Sequence, residues 1–203
     1  HSSILLRLMG QYILTDPVFS DRASPLRFAG PQRRTPPALT ISALPSLDTI
    51  VISHNHYDHL DARTMRALIQ RFPHVTVFVP LGLGNWCRRL GASNVTELDW
   101  WQSVVFQGLV YTAVPAQHWS MRTPWDRNNA LWCGWVVENS AHRFWFPGDT
   151  GYCEALLTIP QRLGPLSLAA LPIGAYAPRW FMAYNHMDPQ QAVTLWQQLG
   201  KPL

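Results

Sequence analysis

Lysine is almost missing from this chain: Lys201 stands alone against 15 arginines. The cations are therefore guanidinium groups, which grip phosphate or carboxylate through two parallel bonds. The net charge of +4 favours the approach of an anionic substrate but falls short of a nucleic-acid footprint. Cysteine is scarce as well. Cys87, Cys133 and Cys153 show no CxxC spacing, which argues against a disulfide scaffold or a thiolate metal site and fits a reducing, cytoplasmic setting. No apolar run reaches the ~18 residues that a membrane-spanning helix needs. Repeats, low-complexity tracts and a basic-then-apolar leader are all missing. The chain opens at His1 rather than Met and closes at Gly200-Lys201-Pro202-Leu203, straight after an amphipathic segment. Both ends are expected to be cut.

What is present reads as one globular domain over residues 1–203, large enough to bury an ordinary core. Ser2 to Leu8 and Gln11 to Thr15 are β-type runs around Met9-Gly10, a hairpin ending at Asp16-Pro17. Residues 18–46 form a long proline-rich excursion with four arginines, and long irregular stretches of this kind are more often functional than idle. Alternation follows: strand at Thr49 to Ser53, helix capped by Asp61, strand at Val75 to Val79, helix at Gly84 to Leu90, strand at Val95 to Leu98. Ser103 to Phe106, Leu109 to Pro115, Leu131 to Glu138 and Arg143 to Phe146 read as antiparallel strands. Glu154 to Leu163 reads as a helix, Leu168 to Pro172 as a buried strand and Pro189 to Leu199 as a helix. The sum is an α/β protein of two strand-rich layers with helices outside, an αββα sandwich.

Into this frame the chain sets "SHNHYDHLD" at 53–61. His54, His56, Asp58 and His59 place four nitrogen and oxygen donors at the carboxyl end of a buried strand, where ligands collect in α/β folds. Alternate residues of an extended loop point the same way, so His54 and His56 grip one ion while Asp58 and His59 turn toward another. Imidazole and carboxylate suit Zn²⁺, which would lower the pKa of bound water to roughly 7. Solvated loop histidines around an Asp cap are the plain alternative, but four donors in six residues behind a strand is too dense a pattern for it. His118 in "VPAQHWS" and Asp149 in "FPGDTGY" repeat the order of strand, small turn, donor.

These motifs resemble those of the metallo-β-lactamase superfamily, whose members carry a strand, an HxHxDH loop, a distant His and a distant Asp in this order. The resemblance implies two zinc ions, one held by His54, His56 and His118, the other by Asp58, His59 and a bridging Asp149. It also implies a seventh ligand, a His on a strand expected beyond Leu203. "DPVFSDRASPLRFAGPQRRTPPAL", "QHWSMRTPWDRNNALWCGW", "FPGDTGYC" and "PIGAYAPRWFMAYNHMDPQQAV" resemble the branch containing N-acylphosphatidylethanolamine-hydrolysing phospholipase D and its bacterial relatives. That branch implies a phosphodiesterase in which a metal-bridging hydroxide releases an N-acylethanolamine and phosphatidic acid. A metal-dependent lactonase and a non-enzymatic metal-binding protein stay open as alternatives.

Asp58 and His186 are the candidate catalytic side chains. His186, in "YNHMDP", is placed to donate to phosphate, with a backbone-bonded histidine before a helix as the competing reading. Arg33, Arg34 and Trp180 join His186 as candidate substrate contacts. The excursion, with Leu26, Phe28 and Leu39 among Arg22, Arg27, Arg33 and Arg34, reads either as a lip against a phospholipid surface or as a solvated loop stiffened by proline. The tryptophans Trp119, Trp125, Trp132, Trp135 and Trp180 line a groove or pack a core. Expected partners are a small-molecule or phospholipid substrate and, peripherally, the inner membrane face; nucleic acid is not expected, and a homodimer is an open arrangement.

Overall fold

The structure is a computed structural model and describes residues 3–26 and 28–203. His1, the Ser2 start of the first expected strand and Arg27 of the excursion lie outside the described residues. The chain folds as two compact units built from alternating stretches: His1–Glu97 with Ser120–Leu131, and Leu98–Trp119 with Trp132–Leu203.

The first unit holds a five-stranded sheet in the order β1 (Ile4–Leu8), β2 (Gln11–Thr15), β3 (Thr49–Val51), β4 (Thr76–Pro80), β5 (Asn94–Leu98). β1 and β2 pair antiparallel through Met9-Gly10, both at positive φ, the backbone shape that a two-residue hairpin needs to match strand twist. β2 and β3, and β3 and β4, pair in parallel. Every residue of β3 and β4 is buried, which is why these strands read as unbroken apolar runs. The crossover helix α1 (Ala62–Arg71) presents Met65, Leu68 and Ile69 to Ile50, Ile52, Val77 and Val79. Truncating Leu68 to Ala would cost roughly 2–5 kcal/mol.

Asp61 caps α1 by accepting from Arg63 N at 3.1 Å, and its other oxygen accepts from Ser20 N at 3.1 Å. Thr64 Oγ1 accepts from Phe19 N at 2.9 Å. The proline-rich excursion is therefore fastened to the start of α1, and side chains satisfy backbone groups that no ladder reaches. A second helix, α2 (Gly84–Arg89), buries Cys87. Residues 120–131 join this unit although they lie between strands of the other sheet. Asp126 Oδ1 ties Arg122 N and Thr123 N, each at 2.8 Å, and Leu131 N donates to Leu81 O at 2.8 Å. That last bond explains why the strand expected from Leu131 begins only at Gly134.

The second unit orders its sheet β10 (Leu168–Ala169), β9 (Arg143–Phe146), β8 (Gly134–Glu138), β7 (Leu109–Val114), β6 (Ser103–Phe106). Pairing is antiparallel from β6 to β9 and parallel between β9 and β10. The expected helix at 154–163 divides into a 3-10 turn at Glu154–Leu157 and α3 (Thr158–Leu163). Pro160 brings no N–H, and such a residue sits best in a first helical turn, where it now stands. A short α4 (Arg179–Met182) was not expected. α5 (Pro189–Gln198) starts with a full capping box between Asp188 and Gln191. Leu156, Ile159, Ala192 and Leu195 pack with Val114, Val136 and Trp145 on this sheet. Each unit is thus a mixed sheet with helices laid on it, as the α/β reading required. Among the described residues no helix is long and apolar enough to cross a membrane.

Candidate functional site

In the first unit the donor loop begins where β3 ends. Asp16, at the end of β2, has φ +36°, a left-handed conformation that few residues other than Gly adopt and Asp tolerates better than most. It is held there by its own bonds: its carboxylate accepts from Ser53 N at 2.6 Å, from Ser53 Oγ, and from His59 Nδ1 at 2.7 Å. These bonds orient the imidazole rings. The single Ser53 hydroxyl proton goes to Asp16, so in the 2.8 Å contact of Ser53 Oγ with His54 Nδ1 the histidine is the donor. His54 then carries its lone pair on Nε2, which faces His56 Nδ1 at 2.9 Å. His59 donates its Nδ1 proton to Asp16, and its Nε2 lies 3.7 Å from Asp58 Oδ2.

In the second unit the two distant donors are stitched together. Gly148, at φ +63°, turns the chain after β9 to present Asp149. Gln117 N donates to Thr150 Oγ1 and Gly151 N to Gln117 O, both at 2.9 Å, and Met187 N donates to Thr150 O at 3.0 Å. The backbones flanking His118, Asp149 and His186 are thereby fixed to one another. His118 Nδ1 donates to the Asn185 carbonyl at 3.1 Å, and its Nε2 lies 3.9 Å from Asp149 Oδ2. His186 Nδ1 lies 3.8 Å from the same oxygen, and its ring meets that of His118 edge-on at 5.1 Å. His118, Asp149 and His186 each offer an atom within 4.8 Å of the others, as do Asp16, His54 and His59 in the first unit. In both units imidazole nitrogens and carboxylate oxygens converge within reach of one ion, so the donor sets fit a divalent cation.

The structure thus gathers His54, His56, Asp58 and His59 in one unit and His118, Asp149 and His186 in the other. His186 is turned to Asp149 and His118, while Asp188, not His186, caps α5. Arg33 is engaged elsewhere: its guanidinium donates to the carbonyls of Val18 at 2.6 Å and Ser20 at 3.4 Å, which steadies the excursion. Arg34 is exposed. Trp180 is 86% exposed on α4, its ring against Phe181. Trp135 is core, and Trp132 donates to the Ala116 carbonyl. On the excursion Leu26, Phe28 and Leu39 are exposed. Beside the donor loop a cavity of about 460 Å³ is lined by Tyr57, Arg63, Arg66, Trp86 and Arg122 among others.

Sequence reasoning passed over Asp16 and Ser53. Asp16 carried the signal already used for His118 and Asp149, an acidic or imidazole side chain just past a strand, but Asp16-Pro17 also reads as a hairpin stop. The model of the β-lactamase superfamily domain matches residues 11–203. The chain belongs to the β-lactamase superfamily. It is 45% identical over 203 residues to an N-acyl-phosphatidylethanolamine-hydrolyzing phospholipase D of Caenorhabditis elegans, covering 95% of this chain and 57% of that protein. The chain spans about half the length of the curated relatives it matches. Among solved structures, a metallo hydrolase from Ignicoccus hospitalis aligns with a TM-score of 0.73 at 21% identity, over 100% of this chain and 76% of that one. A diiron β-hydroxylase from Streptomyces venezuelae aligns at 0.68 and 21%, over 98% and 41%. The fold is that of the metallo-β-lactamases.

Proposed function

We propose that this superfamily member is a metal-dependent hydrolase of phosphodiesters, acting as an N-acylphosphatidylethanolamine phospholipase D. The observation that carries the metal reading is the clustering of Asp16, His54 and His59 in one unit and of His118, Asp149 and His186 in the other, each set with its ligand atoms within 4.8 Å of one another. The ligand order implied by the superfamily assigns His54, His56 and His118 to one ion and Asp58, His59 and Asp149 to the other, and zinc suits this donor set. Bound there, two divalent ions would activate water and polarise the phosphoryl group. The protein's own side chains orient the donors and supply protons: Asp16 holds His59, Ser53 holds His54, the Asn185 carbonyl holds His118, and His186 donates to a non-bridging phosphate oxygen. Arg63 and Arg66 in the adjoining cavity favour an anionic headgroup. The phospholipid substrate is supported by the 45% identity to the nematode enzyme.

The test joins metal analysis of the purified protein with turnover of N-acylphosphatidylethanolamine against a lactone panel. Bound zinc with chelator-sensitive release of N-acylethanolamine is expected. Bound iron would revise the metal. Lactone turnover without lipid cleavage would keep a hydrolase and overturn its substrate, and protein that takes up no divalent metal would overturn both.

A further inference from the structure

Arg122 belongs to the 120–131 stretch, well apart in sequence from the donor loop, and is half-buried. Nη1 donates to the carbonyl of Asn55 at 2.8 Å and to that of Leu60 at 2.7 Å. Those two carbonyls bracket His56, Asp58 and His59. The guanidinium carbon lies 4.1 Å from the centre of the Tyr57 ring and 4.9 Å from that of Trp86, so the cation is clasped by two aromatic faces. Tyr57 returns the contact, its hydroxyl donating to the Arg122 carbonyl at 3.0 Å. Asp126 fixes the Arg122 backbone from the other side. Burial draws the Arg122 pKa below its ordinary value, while Tyr57, Asp61 and Asp126 oppose that shift.

A cation drawn partly out of water is costly to hold, and this one is attached to the part of the loop that bears three donors. From this geometry we infer that Arg122 is a positioning residue: it latches both ends of the 55–60 turn so that His56, Asp58 and His59 are preset for their ion. The inference rests on the metal reading above. A loop left to find its own conformation would have to be ordered by the ion, and that ordering subtracts from affinity. Lysine cannot replace the guanidinium, because a compact ammonium lacks the planar face that lies between Tyr57 and Trp86.

The test compares wild type, Arg122→Lys, Arg122→Met and Tyr57→Phe, none of which removes a proposed metal donor. Zinc affinity is measured by competition with a chromophoric chelator, the visible spectrum of the cobalt(II)-loaded protein reports coordination, and melting of the metal-free protein reports folding. Both Arg122 variants should bind zinc about 10–100-fold more weakly with an altered cobalt spectrum, and Tyr57→Phe should show a smaller loss with the same sign. If either Arg122 variant is too unstable to load, Tyr57→Phe alone decides. Wild-type affinity and an unchanged cobalt spectrum in the folded variants would overturn the latch while leaving the metal reading intact. A wild type that binds no metal would overturn both.

Discussion

Asp16 accepts from three hydrogen-bond donors at once. One oxygen takes the Ser53 amide, and the other takes the Ser53 hydroxyl and His59 Nδ1. Asp16→Asn keeps one acceptor oxygen and points an NH₂ group at donors on the other side, so either the Ser53 amide loses its acceptor or the Ser53 hydroxyl and His59 lose theirs together. Zinc affinity should fall about 10–100-fold, read by chelator competition; an unaltered affinity would remove Asp16 from the account. The same residue shows where the sequence was legible. His54 to His59 announced themselves because their spacing is local. Asp16 meets its partners across 37 and 43 positions, and Arg122 reaches the loop across 67 and 62, separations that no periodicity encodes. Cys87 makes a different residue-scale case. Burial in α2 raises its thiol from the ordinary 9.0 to about 12, with Glu97 adding to the shift. The folded state thus keeps a proton that the unfolded chain gives up above pH 9, so this contribution to stability is intact below pH 9 and lost as pH rises toward 12. Urea melts from pH 8 to 11 should show stability falling more steeply in wild type than in Cys87→Ala; equal slopes would contradict the assignment.

Among the elements, the turn at 147–151 shows how backbone positions a site. A Cβ on Gly151 would stand 2.0 Å from the Tyr184 carbonyl oxygen and 2.7 Å from Gln117 Nε2. The carbonyl belongs to backbone that leads directly to Asn185, the acceptor for His118, and to His186. Gly151→Ala must therefore push the 184–187 stretch away, and we expect a loss of about 1–3 kcal/mol in stability together with weaker zinc binding, both read from melts with and without metal. A variant matching wild type in both would show that this close approach is not needed. Most elements were readable because their signals are short-ranged: the buried runs of β3 and β4, the Asp61 cap, and Pro189 opening α5 behind Asp188. α4 escaped because four residues, Arg179–Met182, with no buried side chain leave no periodicity to detect. The 120–131 stretch escaped because its membership in the first unit is decided by tertiary bonds such as Leu131 N to Leu81 O.

For the molecule as a whole, the donors are distributed over two units that each carry a sheet and a core of their own. His59 Nε2 stands 3.7 Å from Asp58 Oδ2 in one unit and His118 Nε2 3.9 Å from Asp149 Oδ2 in the other. An ion that binds only the folded protein adds about 2.7 kcal/mol at a hundredfold excess over its Kd. For a chain of this length that corresponds to a rise in Tm of roughly 5–11 °C. Calorimetry of metal-stripped protein, before and after zinc, should record a rise of this size, and excess chelator should reverse it. His54→Ala and His118→Ala remove one donor from each unit and should each shrink the zinc-dependent rise, whatever they do to the metal-free melting point. A full rise in His118→Ala would restrict metal binding to the first unit, and a full rise in both variants would mean that zinc stabilises the protein from somewhere else.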